Sequence, residues 1–181
     1  MKGEYFVMAI YQLEDRIPKI GKDTYIAELA EVIGRVIIGN NCYIGHGAII
    51  RGDYGTIEIG DYSIIEDNCV LHARPDEKCT IGNRVTIGHG AIIHNATIHD
   101  WVVVGMGAVV SDYAVVGEWA VIGEGCVVRN NQQIPDGKVA VGVPAKVIAD
   151  VKDDYKELWT RYKGVYAELA KRNIKSLKRI N

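Results

Sequence analysis

The chain has 181 residues, enough for one domain with its own apolar core, and 48% of them are hydrophobic. Its 21 Lys and Arg nearly balance its 23 Asp and Glu, so the composition offers no basic surface for nucleic acid or for an anionic membrane. No apolar run is long enough to span a bilayer, and the apolar patch at residues 6–10 lacks the length and cleavage pattern of a signal peptide. We expect a cytoplasmic protein that binds neither nucleic acid nor membranes.

Residues 1–19 precede the first regular repeat and are predicted to form a leading strand or loop. From Ile20 the chain repeats in sixes over residues 20–149. Each six begins with an aliphatic residue, which Gly often follows, and has a small residue such as Ala30 or Cys42 in fifth place. The aliphatic positions are Ile20, Ile26, Val32, Ile38, Ile44, Ile50, Ile59, Ile65, Leu71, Ile81, Ile87, Ile93, Ile98, Val104, Val110, Val116, Ile122 and Val128.

This period predicts an all-β solenoid, a parallel β-helix in which each six forms one strand and one corner. The aliphatic residue points inward and its neighbour points outward, and the small fifth residue lies near the tight corner. Three sixes close a triangular coil, so the chain has about six coils stacked about 4.8 Å apart around one core. The alternative, a sandwich or a barrel, would show two-residue alternation and hairpin turns, which do not dominate here.

The cysteines fit the same pattern. There are four of them, without a CxxC pair, and Cys42, Cys69 and Cys126 occupy the small fifth position. We therefore expect these three and Cys79 to be packed free thiols in a reducing compartment.

Residues 150–181 are predicted to form a C-terminal α-helix and a basic tail. Apolar residues recur there at spacings of three and four, which indicates a helix that caps or flanks the solenoid. The apolar positions are Val151, Tyr155, Leu158, Tyr162, Val165 and Leu169. Several Lys and Arg in residues 171–181 indicate a solvated, frayed end.

Two insertions interrupt the sixes, three residues long after Ile50 and four residues long after Leu71. Both follow the third strand of their coil, so both loops leave the same corner. After correction for these loops, the intervals from Arg51 to His72 and from His72 to His94 are each one full coil of 18 residues. These three residues therefore form one outward column, with His72 and His94 about 5 Å apart at the backbone. Two imidazoles at this distance suit one shared metal ion.

A third histidine belongs to a different column. His89 follows the preceding strand, in line with His46, Asp67 and Met106, and it does not easily reach His72 and His94 within one chain. A homotrimer solves this problem, because the edge with His72 and His94 can meet the face with His89 of the next subunit. Catalytic zinc commonly has three protein ligands and one open position, and cyclic symmetry then gives three sites. His46 and His99 are interpreted as structural.

At these residues the sequence resembles the γ-class carbonic anhydrase-like family of left-handed β-helix proteins. The resemblance covers roughly residues 8–150, and residues 10–18 are similar to the branch found with phenylacetate and carnitine metabolism. The matching segments are Arg51-Gly52-Asp53, residues 65–72 (IEDNCVLH), residues 85–94 (VTIGHGAIIH), residues 105–110 (GMGAVV) and residues 142–146 (GVPAK).

The resemblance implies a left-handed solenoid and a homotrimer with zinc, or alternatively iron or cobalt, at each interface. His72 and His94 of one subunit and His89 of its neighbour would be the ligands. Arg51 and Asp53 would pair across the interface, although a simple ion pair between them is also consistent with the sequence.

The implied reaction is the reversible hydration of CO2 to bicarbonate by a metal-bound hydroxide. Glu66 and Asp67 would position the nucleophile, and the alternative is that both are solvated corner residues. The family usually has Gln where this chain has Glu66, and that Gln orients the metal-bound oxygen. The family's acidic proton-transfer residues are replaced here by Tyr54 and Pro75, and Asp76 and Glu77 are the nearby acidic candidates for that role. The resemblance thus implies four catalytic residues: Arg51, Asp53, Glu66 and Asp67.

Three other functions use the same fold. One is hydrolysis of an acyl-CoA thioester by the same metal-activated water, which needs a groove for pantetheine beside the metal. Another is CoA-dependent acyl transfer with a histidine as general base, which explains the repeat but not the column of His72 and His94. The last is a non-catalytic subunit that binds metal in an assembly.

Overall fold

A computed structural model describes residues 9–180, which form a solenoid of short strands followed by one helix. Residues 1–8 of the predicted leading segment and residue 181 of the predicted tail lie outside the described residues. The strands in chain order are β1 (Ala9–Tyr11), β2 (Lys19–Ile20), β3 (Tyr25–Ile26), β4 (Glu31–Ile38), β5 (Tyr43–Ile44), β6 (Ile49–Ile59), β7 (Ile64–Ile65), β8 (Val70–His72), β9 (Lys78–Ile81), β10 (Thr86–Ile87), β11 (Ile92–His94), β12 (Thr97–Ile98), β13 (Val103–Val104), β14 (Val109–Val110), β15 (Val115–Val116), β16 (Val121–Ile122), β17 (Val127–Val128), β18 (Gln133–Ile134), β19 (Lys138–Val141) and β20 (Lys146–Asp150).

The strands stack in parallel to form three faces, and neighbours within a face come from successive coils. The first face has the order β1-β4-β6-β8-β11-β14-β17, and the second has the order β2-β4-β6-β9-β12-β15-β18. The third face has the order β3-β5-β7-β10-β13-β16-β19. Strands β4 and β6 are long because they turn the corner between the first and second faces. The predicted parallel β-helix with a C-terminal helix is confirmed, and its architecture is consistent with the left-handed form.

Each face contains seven parallel strands, so the described residues form about seven coils, one more than the six counted from the sequence. The additional strands lie at the two ends of the solenoid. Ile10 pairs with Val32 and begins the first coil, while Ile134 and Ala140 belong to the last. The loop between β1 and β2 breaks the six-residue frame, which conceals the first strand in the sequence.

The aliphatic first positions point into the solenoid and form one continuous core. In the first face Val32, Ile50, Leu71 and Ile93 are fully buried. The small fifth positions are buried beside them, because only a short side chain fits inside the corner. All four cysteines are buried and free, as predicted, and burial raises the pKa of the Cys42 thiol to about 11.

A ladder of aromatic and cationic side chains runs along the corner between the second and third faces. Trp101 and Trp119 stack with ring centroids 4.6 Å apart. The Arg84 guanidinium lies 5.0 Å from the Trp101 ring and 4.5 Å from the Tyr62 ring. All four residues have a positive φ, so stacking and cation–π attraction stabilise a backbone conformation that most side chains disfavour.

The helix α1 (Asp153–Ser176) follows the antiparallel hairpin of β19 and β20 and lies against the third face. Its buried residues are Lys163, Ala167 and Ala170, and the two short alanines allow the helix backbone to approach the sheet closely. No helix within residues 9–180 is both long enough and apolar enough to cross a bilayer.

The apolar spacing predicted the helix but did not identify its packed face. Leu158, Tyr162 and Val165, three of the apolar positions, are 42%, 50% and 57% exposed. The packed face instead contains Lys163 and Tyr166, whose polar groups find partners on the solenoid. A polar residue that is satisfied by a distant strand cannot be recognised as a buried residue from helical spacing alone.

Lys163 is buried between the helix and the third face, with 1% of its surface exposed. Its Nζ donates hydrogen bonds to Thr86 Oγ1 at 2.8 Å and to the Val102 carbonyl at 3.3 Å. Burial lowers the pKa of Lys163 to about 7, although the nearby negative charge of Glu66 opposes this shift. Burial against the third face therefore makes the Lys163 amine a much weaker base than an exposed lysine.

This lowered pKa makes the stability of the protein depend on pH. Above pH 7 the unfolded chain keeps the Lys163 proton, with an ordinary pKa of 10.5, whereas the folded chain loses it, so the folded state gains stability as the pH rises. We expect the wild type to gain about 2 kcal/mol between pH 7 and pH 9 relative to Lys163→Met, which has no titrating amine. Denaturant unfolding of both proteins at several pH values measures this difference. A difference that stays constant with pH would contradict the assigned pKa.

Candidate metal centre

Two histidine rings meet at the corner between the first and second faces. His72 ends β8 and His94 ends β11, and the two residues pair directly across the strands. Arg51 pairs with His72 in the same way, so the predicted column of three residues is confirmed. The two rings have their centroids 5.1 Å apart, with His72 Nδ1 3.1 Å from His94 Nε2.

A carboxylate contacts the outer nitrogen of each ring. Asp53 Oδ1 lies 2.9 Å from His72 Nε2, and Asp112 Oδ1 lies 2.6 Å from His94 Nδ1. Arg51 Nη1 donates a hydrogen bond to Asp53 Oδ2 within the same chain. Arg51 and Asp53 are two residues apart on one strand and therefore project to the same side. We name Arg51, Asp53, His72, His94 and Asp112 the His72 half-site.

Both carboxylates are stabilised in the ionised form. Burial raises the pKa of Asp53, but hydrogen bonds from His72 and Arg51 outweigh it and leave the pKa below its ordinary value. The hydrogen bond from Arg74 lowers the pKa of Asp112, with His94 adding to the shift and burial opposing it. An ionised carboxylate can only accept hydrogen bonds, so the outer nitrogen of each ring must carry the proton.

This protonation pattern leaves a lone pair on each inner nitrogen. When both rings are neutral, His72 Nδ1 and His94 Nε2 therefore face each other at 3.1 Å with two lone pairs that a cation can accept; when one ring is protonated, the same contact is a hydrogen bond between the rings. Two nitrogen ligands of a tetrahedral zinc ion are about 3.4 Å apart, from bond lengths of about 2.0–2.1 Å. The pair therefore fits two ligands of such an ion, and the carboxylates occupy the outer-shell positions that commonly orient metal-binding histidines.

His89 lies at a different corner, between the third and first faces. Its backbone is aligned with His46, Asp67 and Met106 through hydrogen bonds between successive coils, which confirms the predicted column. The ring Nδ1 accepts a hydrogen bond from the Asp67 N–H at 3.2 Å, and Nε2 lies 3.3 Å from Glu66 Oε2. The His89 side chain is 47% exposed, so the ring has space to turn away from these partners.

The C-terminal helix contributes directly to this second cluster. Tyr166 Oη donates a 2.7 Å hydrogen bond to Glu66 Oε1, and the His89 N–H donates a 3.1 Å hydrogen bond to Glu66 Oε2. Glu66 is 9% exposed, so both of its oxygens depend on protein partners. We name Glu66, Asp67, His89 and Tyr166 the His89 half-site.

A single chain keeps the two half-sites apart. No group of three His, Cys, Asp or Glu side chains in the described part of the chain is arranged to hold a metal ion. His46 and His99 are exposed, and neither belongs to a half-site. One chain therefore supplies the predicted ligands in two separate places, as expected if the complete site requires two subunits.

Sequence profiles of two related repeat families match most of the solenoid. The bacterial transferase hexapeptide profile matches residues 17–52, and the hexapeptide repeat of succinyl-transferase matches residues 35–73 and 78–112. A carbonic anhydrase of Geobacillus kaustophilus is 36% identical over 150 residues, which are 82% of each chain. The carnitine operon protein CaiE of Escherichia coli K12 is 34% identical over 147 residues, 81% of this chain and 75% of that protein.

The chain belongs to the γ-class carbonic anhydrase-like family of hexapeptide-repeat proteins.

The relatives in this γ-class family differ in length and in the function that their names give. The chain spans about half the length of two plant relatives, the mitochondrial gamma carbonic anhydrases 1 and 2 of Arabidopsis thaliana, at 53% and 52%. A solved structure of a hexapeptide transferase family protein from Anaplasma phagocytophilum is 31% identical, with a TM-score of 0.86. The alignment covers 90% of this chain and 96% of that one.

The loop of this γ-class chain between β8 and β9 carries two acidic residues, Asp76 and Glu77, and only Glu77 is held by side-chain hydrogen bonds. Glu77 Oε1 accepts a 3.0 Å hydrogen bond from Tyr113 Oη, and Glu77 Oε2 accepts one from the Asn95 amide. Asp76 and Tyr54 are exposed on the same corner. Of the two acidic candidates from the sequence, Glu77 therefore accepts a hydrogen bond on each oxygen, whereas Asp76 is exposed.

Sequence reasoning missed Asp112 and Tyr166. One coil after His94 the column reaches Ser111, because Ile93 pairs with Val110. Asp112 is the next residue along the chain, so the column points to its neighbour and not to Asp112 itself. Tyr166 is 100 residues from Glu66 and lies on a helix, and no repeat spacing connects the two. Its position depends on how the helix docks.

We expect Tyr166→Phe to destabilise the protein by about 1–2 kcal/mol, because it removes a hydrogen bond to the nearly buried carboxylate of Glu66. Tyr162→Phe is the matched control, since Tyr162 lies on the same helix and is 50% exposed. Thermal unfolding of both variants against the wild type measures the difference. Equal melting temperatures for the two variants would show that the hydrogen bond contributes nothing.

Proposed function

We propose that this protein is a metal-dependent carbonic anhydrase that binds zinc at each interface of a homotrimer. The observation that carries the proposal is that His72 Nδ1 and His94 Nε2 face each other at 3.1 Å, while a carboxylate contacts the other nitrogen of each ring. With its outer nitrogen donating to a carboxylate, each neutral ring offers its inner nitrogen as a ligand, which suits a metal ion. The names of several relatives in the family give the same activity.

An apolar stripe on the first face supports the proposed trimer. Aliphatic side chains from five successive coils line up on the outer surface, between the corners that carry the two half-sites. Ile92 at its centre is 41% exposed, and a contiguous apolar stripe on the surface commonly marks an interaction site. The stripe consists of Ile49, Val70, Ile92, Val109 and Val127. Contact between subunits along it would bring the His72 half-site of one subunit toward His89 of the next.

The side chains of this protein have defined roles in the proposed reaction. When bound, zinc is a Lewis acid that activates water for attack on the carbon of CO2. Asp53 and Asp112 hold protons on the outer nitrogens of His72 and His94 and keep both rings in the ligand orientation. The Arg51 side chain is 43% exposed beside His72, so its charge can attract the bicarbonate anion.

Acyl transfer from CoA is the second candidate function. It is favoured by the solved relative at 31% identity, which is called a hexapeptide transferase family protein. In that reaction a histidine acts as general base, and no metal ion is needed. The two candidates therefore differ in whether activity survives chelation.

Stopped-flow CO2 hydration by the zinc-loaded trimer, compared with the same protein after chelation, tests the main proposal. We expect hydration above the buffer rate that disappears on chelation and returns with zinc. A parallel assay with an acyl-CoA panel, with and without an amine acceptor, detects hydrolysis and transfer. Hydration no faster than buffer, together with acyl transfer that survives chelation, would replace the main proposal by the second.

Mixed trimers test whether the site is shared between subunits. His89→Ala and His94→Ala homotrimers should each lose zinc and CO2 hydration. Random equimolar mixing should restore about one quarter of the sites, because an intact pair forms only where a His89→Ala subunit supplies His72 and His94 to a His94→Ala neighbour. Zinc content and hydration rate after co-expression measure the recovery. No recovery in confirmed mixed trimers would mean that one chain supplies all the ligands.

A further inference from the structure

Asp112 connects side chains from three successive coils. Its Oδ1 accepts the 2.6 Å hydrogen bond from His94 Nδ1, and its Oδ2 accepts a 2.6 Å hydrogen bond from Arg74 Nη2. Arg74 belongs to the four-residue insertion after β8, His94 ends β11, and Asp112 follows β14. Asp112 is 7% exposed, so water has little access to its carboxylate.

We propose that Asp112, held by Arg74, is a positioning residue that keeps His94 in the tautomer with a free lone pair on Nε2. This inference rests on the proposed metal site, for which His94 Nε2 is one ligand. Asp112 itself would not touch the metal ion or the substrate. Arg74 fixes the carboxylate, the carboxylate fixes the proton on Nδ1, and the proton on Nδ1 leaves Nε2 available.

The argument depends on what each group can donate and accept. A guanidinium has only donors and an ionised carboxylate has only acceptors, so the hydrogen bond between Arg74 and Asp112 has one possible direction. The second oxygen of Asp112 can only accept as well, which requires an N–H at His94 Nδ1. A neutral imidazole has one N–H, and its other nitrogen is then the ligand.

An amide at position 112 would move the His94 proton from Nδ1 to Nε2. In Asp112→Asn the side chain has one oxygen and one NH2 group, and Arg74 can bond only to the oxygen. The NH2 group then faces His94 Nδ1, which must offer a lone pair, so the proton moves to Nε2 and blocks the ligand. An Asp-to-Asn change beside a histidine is known to reduce function through the wrong tautomer with little change in geometry.

Removing Arg74 from this variant should restore part of the function. In Arg74→Ala/Asp112→Asn the amide can rotate, because nothing holds its oxygen away from His94. The oxygen then accepts from Nδ1, and Nε2 regains its lone pair. Two substitutions that only weakened the corner would add their effects, whereas this pair should compensate.

Two measurements on the full-length trimer test the inference. Long-range proton–nitrogen NMR of metal-free protein, labelled in its histidine rings, reports which nitrogen of His94 carries the proton. Chelator competition with zinc alone reports the dissociation constant. The variants are Asp112→Asn, Arg74→Ala and the double variant. Asp136→Asn is the matched control, since Asp136 accepts a corner hydrogen bond from the Glu118 N–H, and neither residue belongs to a half-site.

We expect the wild type and Asp136→Asn to carry the His94 proton on Nδ1 and to bind zinc equally. Asp112→Asn should move the proton to Nε2 and weaken zinc binding about 10–100-fold, the usual effect of losing an outer-shell partner. The double variant should bind zinc more tightly than Asp112→Asn and show the Nδ1 proton again.

An unchanged tautomer in Asp112→Asn, or a double variant weaker than both single variants, would overturn the role of Asp112. The NMR result also stands if the wild type binds no zinc, because it is measured on metal-free protein. In that case the proposed metal site fails while the tautomer control by Asp112 is still decided. If Asp112→Asn fails to fold, Arg74→Ala is tested alone. It should leave the proton on His94 Nδ1 but weaken zinc binding by less than the about 10–100-fold expected for Asp112→Asn. Zinc binding equal to that of the wild type would count against the proposal.

Discussion

Hydrogen bonds between parallel neighbouring strands fix the register of this solenoid, and every functional contact in it depends on that register. A residue and its counterpart one coil later lie side by side, about 4.8 Å apart, whatever the chain does at the corner between them. His72 and His94 meet for this reason, although 22 residues separate them. The alignment of Asp67 with His89 at another corner has the same origin.

The register also explains which parts of the protein could be predicted from the sequence. The aliphatic period gives the coils and the inward side of each strand, and subtraction of the inserted residues gives the column of Arg51, His72 and His94. The prediction fell one coil short, with strands missed at both ends: the loop after β1 interrupts the period before Ile20, whereas Ile134 and Ala140 continue the period after Val128 but were not counted. The six-residue period predicts which residues of successive coils are adjacent, and the pairing of Arg51 with His72 and of His72 with His94 confirms that prediction.

Contacts that leave the stack could not be predicted in this way. Lys163 and Tyr166 reach the third face from a helix whose docking depends on two alanines and on polar partners such as Thr86 and Glu66. The direction of each hydrogen bond at the His72 half-site depends on charge rather than on spacing. Asp112 belongs to this second group, because it lies one residue past the periodic counterpart of His94 and its contacts with His94 and Arg74 depend on the side chains at the corner.

The distribution of loops around the triangle has a broader consequence. Between the aliphatic positions, the second-to-third and third-to-first corners always keep six residues, and only the first-to-second corner varies in length. The loop after β1, the two insertions and the single deletion before Ile98 all occur there. A change in loop length at that corner alters the surface beside His72 and His94, while the strand pairing with both neighbouring coils stays intact. The scaffold thus separates the part of the chain that can diversify its chemistry from the part that must stay constant to fold.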